Sequence, residues 1–255
     1  MNRIVKYIII DILRSKIVLF YTILLSVLSW SVFLLEDNAQ KGVLTLLNLL
    51  LLNVPLFSII FSTIYIYNSF EFIELLISQP IKRVKVWVSL FYGLNISLLI
   101  ALLISVGIPL LIFSFNIAGL SIIISGVLIS LIFSSLAFLC SIISRDKTKG
   151  IGLAILLWLF ISFLFDGIIM FLMFQFGDYP IEKLIIILTA LNPIDLARIS
   201  VLLQLDMTAM LGYTGALFRE TFHTSIGVAL TILSMVLWII APFMISVIKF
   251  KNKDH

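Results

Sequence analysis

The chain has 255 residues, of which 62% are hydrophobic and only 12% are charged. A soluble domain draws about a quarter of its residues from Asp, Glu, Lys and Arg, and so little polar material cannot cover a surface in water. The composition therefore excludes a water-soluble domain and predicts an integral membrane protein. The net charge of +4 comes from small basic clusters beside apolar runs, a pattern that argues against nucleic acid as a partner.

Residues 2–16 predict an amphipathic helix that lies in the membrane interface. At about 100° per residue, one arc of this helix carries its polar side chains, which are Arg3, Lys6, Tyr7, Asp11 and Arg14. The opposite arc is apolar and carries Ile4, Val5, Ile8, Ile9 and Leu13. Such a helix buries one face in lipid and keeps the other in water.

Six apolar runs follow, and each is long enough to cross roughly 30 Å of hydrocarbon as a helix. They cover about 17–35, 43–67, 87–113, 119–143, 151–176 and 226–248. Of the 17 Lys and Arg residues, thirteen lie at the ends and loops that one side of such a bundle would share. Because cytoplasmic loops hold the excess of Lys and Arg, we expect an all-α protein with both termini in the cytoplasm.

The inner loop between the second and third spans predicts a short helix. Asn68 is placed to cap its first turn, Glu71 occupies the capping-box position, and Pro80 ends it. Glu71 and Glu74 are three residues apart and share one face. The loop is either a coupling element or a solvated turn whose charges keep it at the surface.

The outer segment, residues 177–225, is strongly apolar over 181–211 but is broken at Asn192 and Pro193. Asn192 as N-cap, Pro193 at the first helical position and Asp195 at the third predict a helix start. We expect short helices that lie on the outer leaflet or dip into it. Asp195 and Arg198 are spaced to form an exposed ion pair on that helix.

The chain offers little for catalysis. Its only histidines are His223 and His255, so the paired-histidine zinc motif of metalloproteases is missing. No G-x-S-x-G nucleophile elbow occurs. Lys149 and Gly150 lack the upstream glycine and the following hydroxyl residue of a P-loop. We expect a non-catalytic subunit that binds no metal or cofactor directly, with any ATP held by another protein.

Asp166 is the one acidic residue well inside a span, and a charge there is costly. It is either a functional group, as in a proton-coupled carrier, or a group that is protonated or hydrogen-bonded across a helix interface. Ser162 and Asn95 are the expected partners in the second case. No basic residue lies inside a span to pair with it.

The interfacial helix, the six spans, the inner loop EFIELLISQPIKR from Glu71 to Arg83 and the helices before the last span together resemble the type-2 ABC-transporter permeases. The resemblance covers residues 1–255 as one permease domain. The stretch LNPIDLARI at residues 191–199, continued through Asp206 to LGYTGALF at residues 211–218, is similar to permeases of the transporter that matures nitrous oxide reductase.

The resemblance implies a homodimer in the bacterial inner membrane, in contact with lipid, two cytoplasmic ATPase subunits that hold ATP and Mg, and a β-helical periplasmic accessory protein. The residues implied to couple to the ATPase are Glu71, Glu74, Leu75, Gln79 and Arg83. Those implied to contact the periplasmic partner are Asn192, Asp195, Arg198 and Asp206.

The resemblance further implies a role in assembling the copper-sulfur cluster of nitrous oxide reductase. Within that role, the transporter would move a sulfur species or copper, or it would transmit mechanical work without moving any cargo. Three alternatives stay open from the sequence. They are an exporter of a lipid, peptide or drug, a scaffold for a periplasmic assembly factor, and a secondary transporter that uses Asp166.

Overall fold

The computed structural model describes residues 2–36, 38–114, 116–144, 146–177, 179, 182–205 and 225–252. Every regular element in these ranges is helical, and six helices are long and apolar enough to cross a membrane. The prediction of an all-α membrane protein with six spans is confirmed. The inside position of both termini stays a prediction.

Twelve α-helices, numbered in chain order, make up the described residues. They are α1 (Asn2–Arg14), α2 (Lys16–Leu35), α3 (Ala39–Asn68), α4 (Phe70–Ile77), α5 (Arg83–Leu102), α6 (Ile108–Phe113), α7 (Ile117–Ile143), α8 (Lys147–Leu159), α9 (Phe165–Gln175), α10 (Glu182–Leu191), α11 (Pro193–Gln204) and α12 (Ser225–Asn252). One π-helical turn, Leu103–Gly107, joins α5 to α6, and another, Phe160–Leu164, joins α8 to α9. The spans are therefore α2, α3, α5–α6, α7, α8–α9 and α12, and α8–α9 is called span five below.

Three spans begin at an Asn or Asp whose side chain caps the helix. The Oδ1 atoms of Asn38, Asn116 and Asp146 accept backbone N–H bonds at 2.9, 2.8 and 2.8 Å at the starts of α3, α7 and α8. Each cap satisfies one of the N–H groups that a helix start leaves without a partner. These local signals fix where the spans begin.

Helix α7 is the centre of the bundle, with 67% of its apolar stretch buried against 6% for span five. Its sequence supplies serines that allow close approach and hydrogen bonds between spans. Ser58 of α3 donates to Ser130 at 3.1 Å, Ser134 donates to Asn95 of α5 at 2.6 Å, and Ser135 donates to a carbonyl of α12 at 2.7 Å. Span five, by contrast, lies at the edge of the helix bundle.

Helix α1 packs on the protein as well as presenting an outer face. Ile8 and Ile12 are buried, and Gly93 of α5 admits Ile8, because a Cβ at Gly93 would lie 2.6 Å from its Cγ2. Asp11 accepts a 3.0 Å hydrogen bond from the Tyr65 hydroxyl of α3. The apolar arc predicted from the sequence thus packs on α5 through Ile8, and Ile12, which the prediction did not include, is also buried.

A glycine sets the close packing of span five on α3 near the loop 144–146. A Cβ on Gly150 would overlap the ring of Tyr67, 2.5 Å from its Cζ and closer still to its hydroxyl, whereas a Cβ on Gly152 would meet nothing within 4 Å. We expect Gly150→Ala to destabilise the protein by about 1–3 kcal/mol through overpacking. Gly152→Ala, the matched control, should be neutral or slightly stabilising because alanine favours a helix. Apparent melting temperatures of the purified protein test this, and equal values for the two variants would contradict it.

Candidate functional site

The predicted coupling residues gather on one exposed surface, formed by α4 and the turn after it. Glu71, Glu74 and Leu75 are exposed at helical spacing, and Leu75 is 66% exposed. The opposite face of α4 holds it in place through buried Ile73 and through Phe72, which stacks on Tyr7 of α1 at 5.4 Å. The short helix is therefore supported from behind and open in front. This exposed face is called the α4 surface below.

The remaining two coupling residues flank that surface. Gln79 is exposed just beyond α4, and Arg83 is half-buried at the first position of α5. The predicted cap at the start of α4 is wrong. Asn68 is the last residue of α3, Ser69 precedes α4 without a side-chain capping bond, and Glu71 therefore closes no capping box with Asn68.

Asn68 instead ties the base of α4 to span five. Its Oδ1 accepts a 2.7 Å hydrogen bond from Nζ of Lys147, the first residue of α8. Beside it, the Tyr67 hydroxyl donates to the Ser144 carbonyl at 2.9 Å. These two bonds join the end of α3, which leads directly into α4, to the start of span five.

Helices α10 and α11 meet at a 105° bend, a geometry typical of a re-entrant loop or a broken span, and the pair is called the hairpin below. Trp238 of α12 donates to the Leu191 carbonyl at 3.0 Å, at the turn of the hairpin. Trp238 lies in the middle of α12, 13 residues after Ser225 and 14 before Asn252. The turn therefore lies level with the middle of α12, which favours the predicted placement that dips into the membrane.

Asn192 begins α11 as predicted, with its Oδ1 accepting from the Ile194 N–H at 3.0 Å and Pro193 following. Its amide nitrogen also faces three acceptors, which are the Ile161 carbonyl at 3.2 Å, Asp195 at 3.0 Å and Asp166 at 3.4 Å. Ile161 belongs to the π-helical turn in the middle of span five. One buried amide thus joins the hairpin to span five at mid-membrane.

Arg198 completes this contact. Its Nη1 donates to Asp195 at 3.1 Å and to Asp166 of span five at 3.4 Å. The predicted pair of Asp195 with Arg198 is present, but it is not exposed as expected, since the Asp195 side chain is 9% accessible. Arg198 and Asp166 are 33% and 32% accessible. The group Asp166, Asn192, Asp195 and Arg198 is called the hairpin cluster below.

The hairpin cluster carries two carboxyl groups and one guanidinium. Arg198 offsets one of the two carboxylate charges, which lowers the cost of placing these groups in the membrane.

Two expectations for Asp166 are wrong. Asn95 bonds Ser134 and the Phe91 carbonyl, far along the chain from Asp166, and the Ser162 hydroxyl is buried without a hydrogen bond in the described part of the chain. The basic partner comes from outside the spans, because the hairpin carries Arg198 inward. The sequence signal for the pair of Arg198 and Asp166 is an arginine within the apolar segment 181–211 and an acidic residue within a span.

The hairpin cluster is a polar contact between the outer half of span five and the hairpin. None of the described residues of α9 is buried, and Phe174 near its end is 90% exposed. From Gly167 to Phe174 its sequence is apolar all round, which suits lipid or a second subunit rather than a packed core. A π-helical turn often marks a functional position within a helix. The turn at Phe160–Leu164 therefore separates a tethered inner half from a lightly held outer half.

Residues 49–255 match the family model described as ABC-2 family transporter protein. The chain belongs to that family. The match begins within α3 and includes α4, the hairpin and every later span of the ABC-2 protein. None of the curated proteins compared with it matches this chain.

Membership makes the chain a membrane-spanning permease of an ABC transporter, which works in lipid with a cytoplasmic ABC ATPase. In this ABC-2 permease, the coupling roles of Glu71, Glu74, Leu75, Gln79 and Arg83 stay predictions. Asn192 and Asp195 make their bonds within the chain, so their predicted contact with a periplasmic partner also stays a prediction, as does that of Arg198. Asp206 lies outside the described residues.

Proposed function

We propose that this permease carries work from its ATPase, which docks on the α4 surface, to the outer side of the membrane through span five. The observation that carries the proposal is that span five makes one polar contact beside α4 and a second one with the hairpin. Lys147 binds Asn68 beside α4, and Asp166 binds Arg198 of the hairpin. None of the described residues in its outer half, α9, is buried, so that half is the part of the helix that is able to move.

Helix α4 has the properties that a docking element needs. It is short, it is supported by Ile73 and Phe72, and it presents Leu75 beside two glutamates. An apolar anchor with charges at its rim is a common arrangement at protein interfaces. When nucleotide brings two ATPase subunits together, a supported helix transmits their displacement to α1 and to the near ends of α3 and span five.

The permease acts as a homodimer in this proposal, with span five facing the second copy. Its uncovered faces support this, because Leu156, Phe163 and Phe171 are each more than half exposed on both halves of the helix. Two copies are also what two ATPase subunits require. The site of action is the inner membrane of a bacterium.

For the cargo, we propose the maturation of the copper-sulfur cluster of nitrous oxide reductase, with a β-helical periplasmic protein as the outer partner. The support is the resemblance of residues 191–218. In the described part of that stretch, Asn192, Asp195 and Arg198 hold the hairpin, so their identity is required by packing as well as by any partner. A strain that lacks the permease should produce nitrous oxide reductase without this cluster, and a fully assembled cluster there would refute the assignment.

The ion pair of Asp166 argues against the alternative of a proton-coupled carrier. Arg198 holds this carboxylate at 3.4 Å and Asn192 holds its other oxygen. A carrier group must instead release and rebind its proton on each cycle. A structural role in the hairpin cluster accounts for an acidic residue at this depth.

The docking of the ATPase is tested by photo-crosslinking in cells, with a photoreactive phenylalanine at Leu75. We expect a crosslink to a protein that mass spectrometry identifies by its nucleotide-binding motifs. Leu34, near the end of α2, is the matched control because it is 70% exposed at the other side of the membrane. It should give no such crosslink. A crosslink to the ATPase from Leu34 but not from Leu75 would overturn both the docking site and the orientation.

A further inference from the structure

A cavity of about 280 Å³ lies between α7, α11 and α12. It is separate from the hairpin cluster, on the other side of α11. Its polar lining includes Ser125, Ser200, Gln204 and Thr231, and its apolar lining includes Ile124 and Ile232. No charged side chain is found among the described residues that line it. The lining therefore suits a neutral ligand.

The cavity lies in the outer half of the membrane and opens to lipid. Ser125 is eight residues from the start of α7 and Thr231 is six from the start of α12, which places them about 9–12 Å below the helix ends. Ile124 and Ile232 beside them are 52% and 53% exposed. Molecules dissolved in the outer leaflet therefore have a direct path to the cavity.

The hydroxyl groups of the cavity are arranged as hydrogen-bond acceptors. Thr231 donates its proton to the Gly227 carbonyl at 3.0 Å, and Ser200 donates to the Ala197 carbonyl at 2.8 Å. A hydroxyl that has given its one proton still has lone pairs to accept with. Ser125 Oγ, 3.4 Å from Ser200 Oγ, lies beside them. An incoming hydrogen-bond donor would thus meet acceptors that its lipid surroundings lack.

We propose that this cavity binds a neutral single-chain amphiphile whose head donates a hydrogen bond, such as a medium-chain alcohol. The alkyl chain packs against Ile124 and Ile232, and the head donates to Ser200 or Thr231. The volume is about twice that of a 150 Å³ apolar cavity that accommodates benzene, so a chain on the order of eight carbons fits. Because α11 forms one wall, the ligand also joins the hairpin to α7 and α12.

The proposal concerns binding to the permease alone and does not depend on the ATPase or on the cargo. The purified protein in phosphatidylcholine nanodiscs is photolabelled with an octanol that carries a diazirine in its chain. We expect saturable labelling of the α7 and α12 peptides that contain Ile124 and Ile232. Excess octanol should reduce it at least fivefold, and octane at the same membrane concentration less than twofold.

Two sets of variants distinguish the contribution of the hydrogen-bond acceptors from that of the cavity volume. Ser200→Ala with Thr231→Val keeps the cavity but removes acceptors, so octanol and octane should compete equally. Thr189→Val is the control, because the Thr189 hydroxyl also donates to a carbonyl of its own helix, at 2.8 Å. It lines a separate cavity, which lies beside Asp166. Ser125→Leu with Ser200→Leu fills the space and should remove the saturable labelling.

Three outcomes would overturn the proposal. Equal competition by octane in the natural protein would make the cavity a plain site for lipid chains. Labelling that does not saturate, or that persists when the cavity is filled, would place the probe on the lipid-facing surface. If the variant with the filled cavity does not fold, Ser200→Ala with Thr231→Val still tests the proposal. A preference for octanol over octane that survives in this double variant would contradict the proposed hydrogen bonds.

Discussion

Replacing Glu71 and Glu74 together by lysine is expected to release the ATPase from this permease and to lower its permease-dependent ATP turnover at least tenfold. Both side chains are exposed on α4, and neither makes a hydrogen bond within the described residues. The fold of the permease should therefore be unaffected. Reversing two charges at the rim of an interface slows association and places like charges opposite each other, which costs several kcal/mol.

Co-purification of the two proteins and ATP turnover in nanodiscs measure this effect. Lys41→Glu is the control, since it reverses an exposed charge at the start of α3 on the other side of the membrane. It should leave assembly and turnover unchanged. Normal assembly and turnover in the double α4 variant would show that the ATPase docks elsewhere.

The second large effect is expected from Arg198→Ala, which leaves the carboxyl groups of Asp166 and Asp195 without their cation. Breaking a fully buried ion pair from one side costs about 3–5 kcal/mol. Since Arg198 and Asp166 are each about one-third accessible, the pair is only partly buried and we expect a smaller cost of roughly 1–3 kcal/mol. The outer half of span five should also become more mobile, because none of the described residues of α9 is buried.

A spin label at Phe174 reports that mobility, in a background where the single cysteine Cys140 is replaced by serine. Asp166→Asn is the informative comparison. It removes one carboxylate but leaves the pair of Asp195 with Arg198 intact, so its loss of stability should be smaller. ATP turnover should persist in Arg198→Ala while its coupling to the outer side is lost. A label as immobile as in the natural sequence would mean that packing, and not the cluster, fixes α9.

The sequence was sufficient for the elements whose cause is local. Runs of apolar residues specify the spans, and Asn192 with Pro193 specifies the start of α11, because capping involves only neighbouring residues. The same reasoning failed at Asn68. Its side chain could cap α4 by spacing, but Lys147, 79 residues away, takes its oxygen instead. A local rule cannot weigh such a competitor.

The hairpin cluster shows the same limit more fully. Arg198 and Asp166 are 32 residues apart and meet only because α10 and α11 bend by 105° and place their turn level with the middle of α12. Neither the bend nor the depth is encoded in helix periodicity. The sequence therefore predicted which residues are unusual, but not that they form one group.

The most direct test of the account is the distance between spin labels at Phe174, near the outer end of span five, and at Leu35, the last residue of α2, in permease assembled with its ATPase. Both positions are highly exposed, at 90% and 82%, and unlabelled copies dilute the labelled ones so that distances within one chain are measured. Trapping the ATPase with nucleotide should shift the distance by on the order of 5 Å, and the shift should vanish with Glu71→Lys and Glu74→Lys. Identical distances with and without trapped nucleotide would contradict the claim that work applied at the α4 surface moves the outer half of span five.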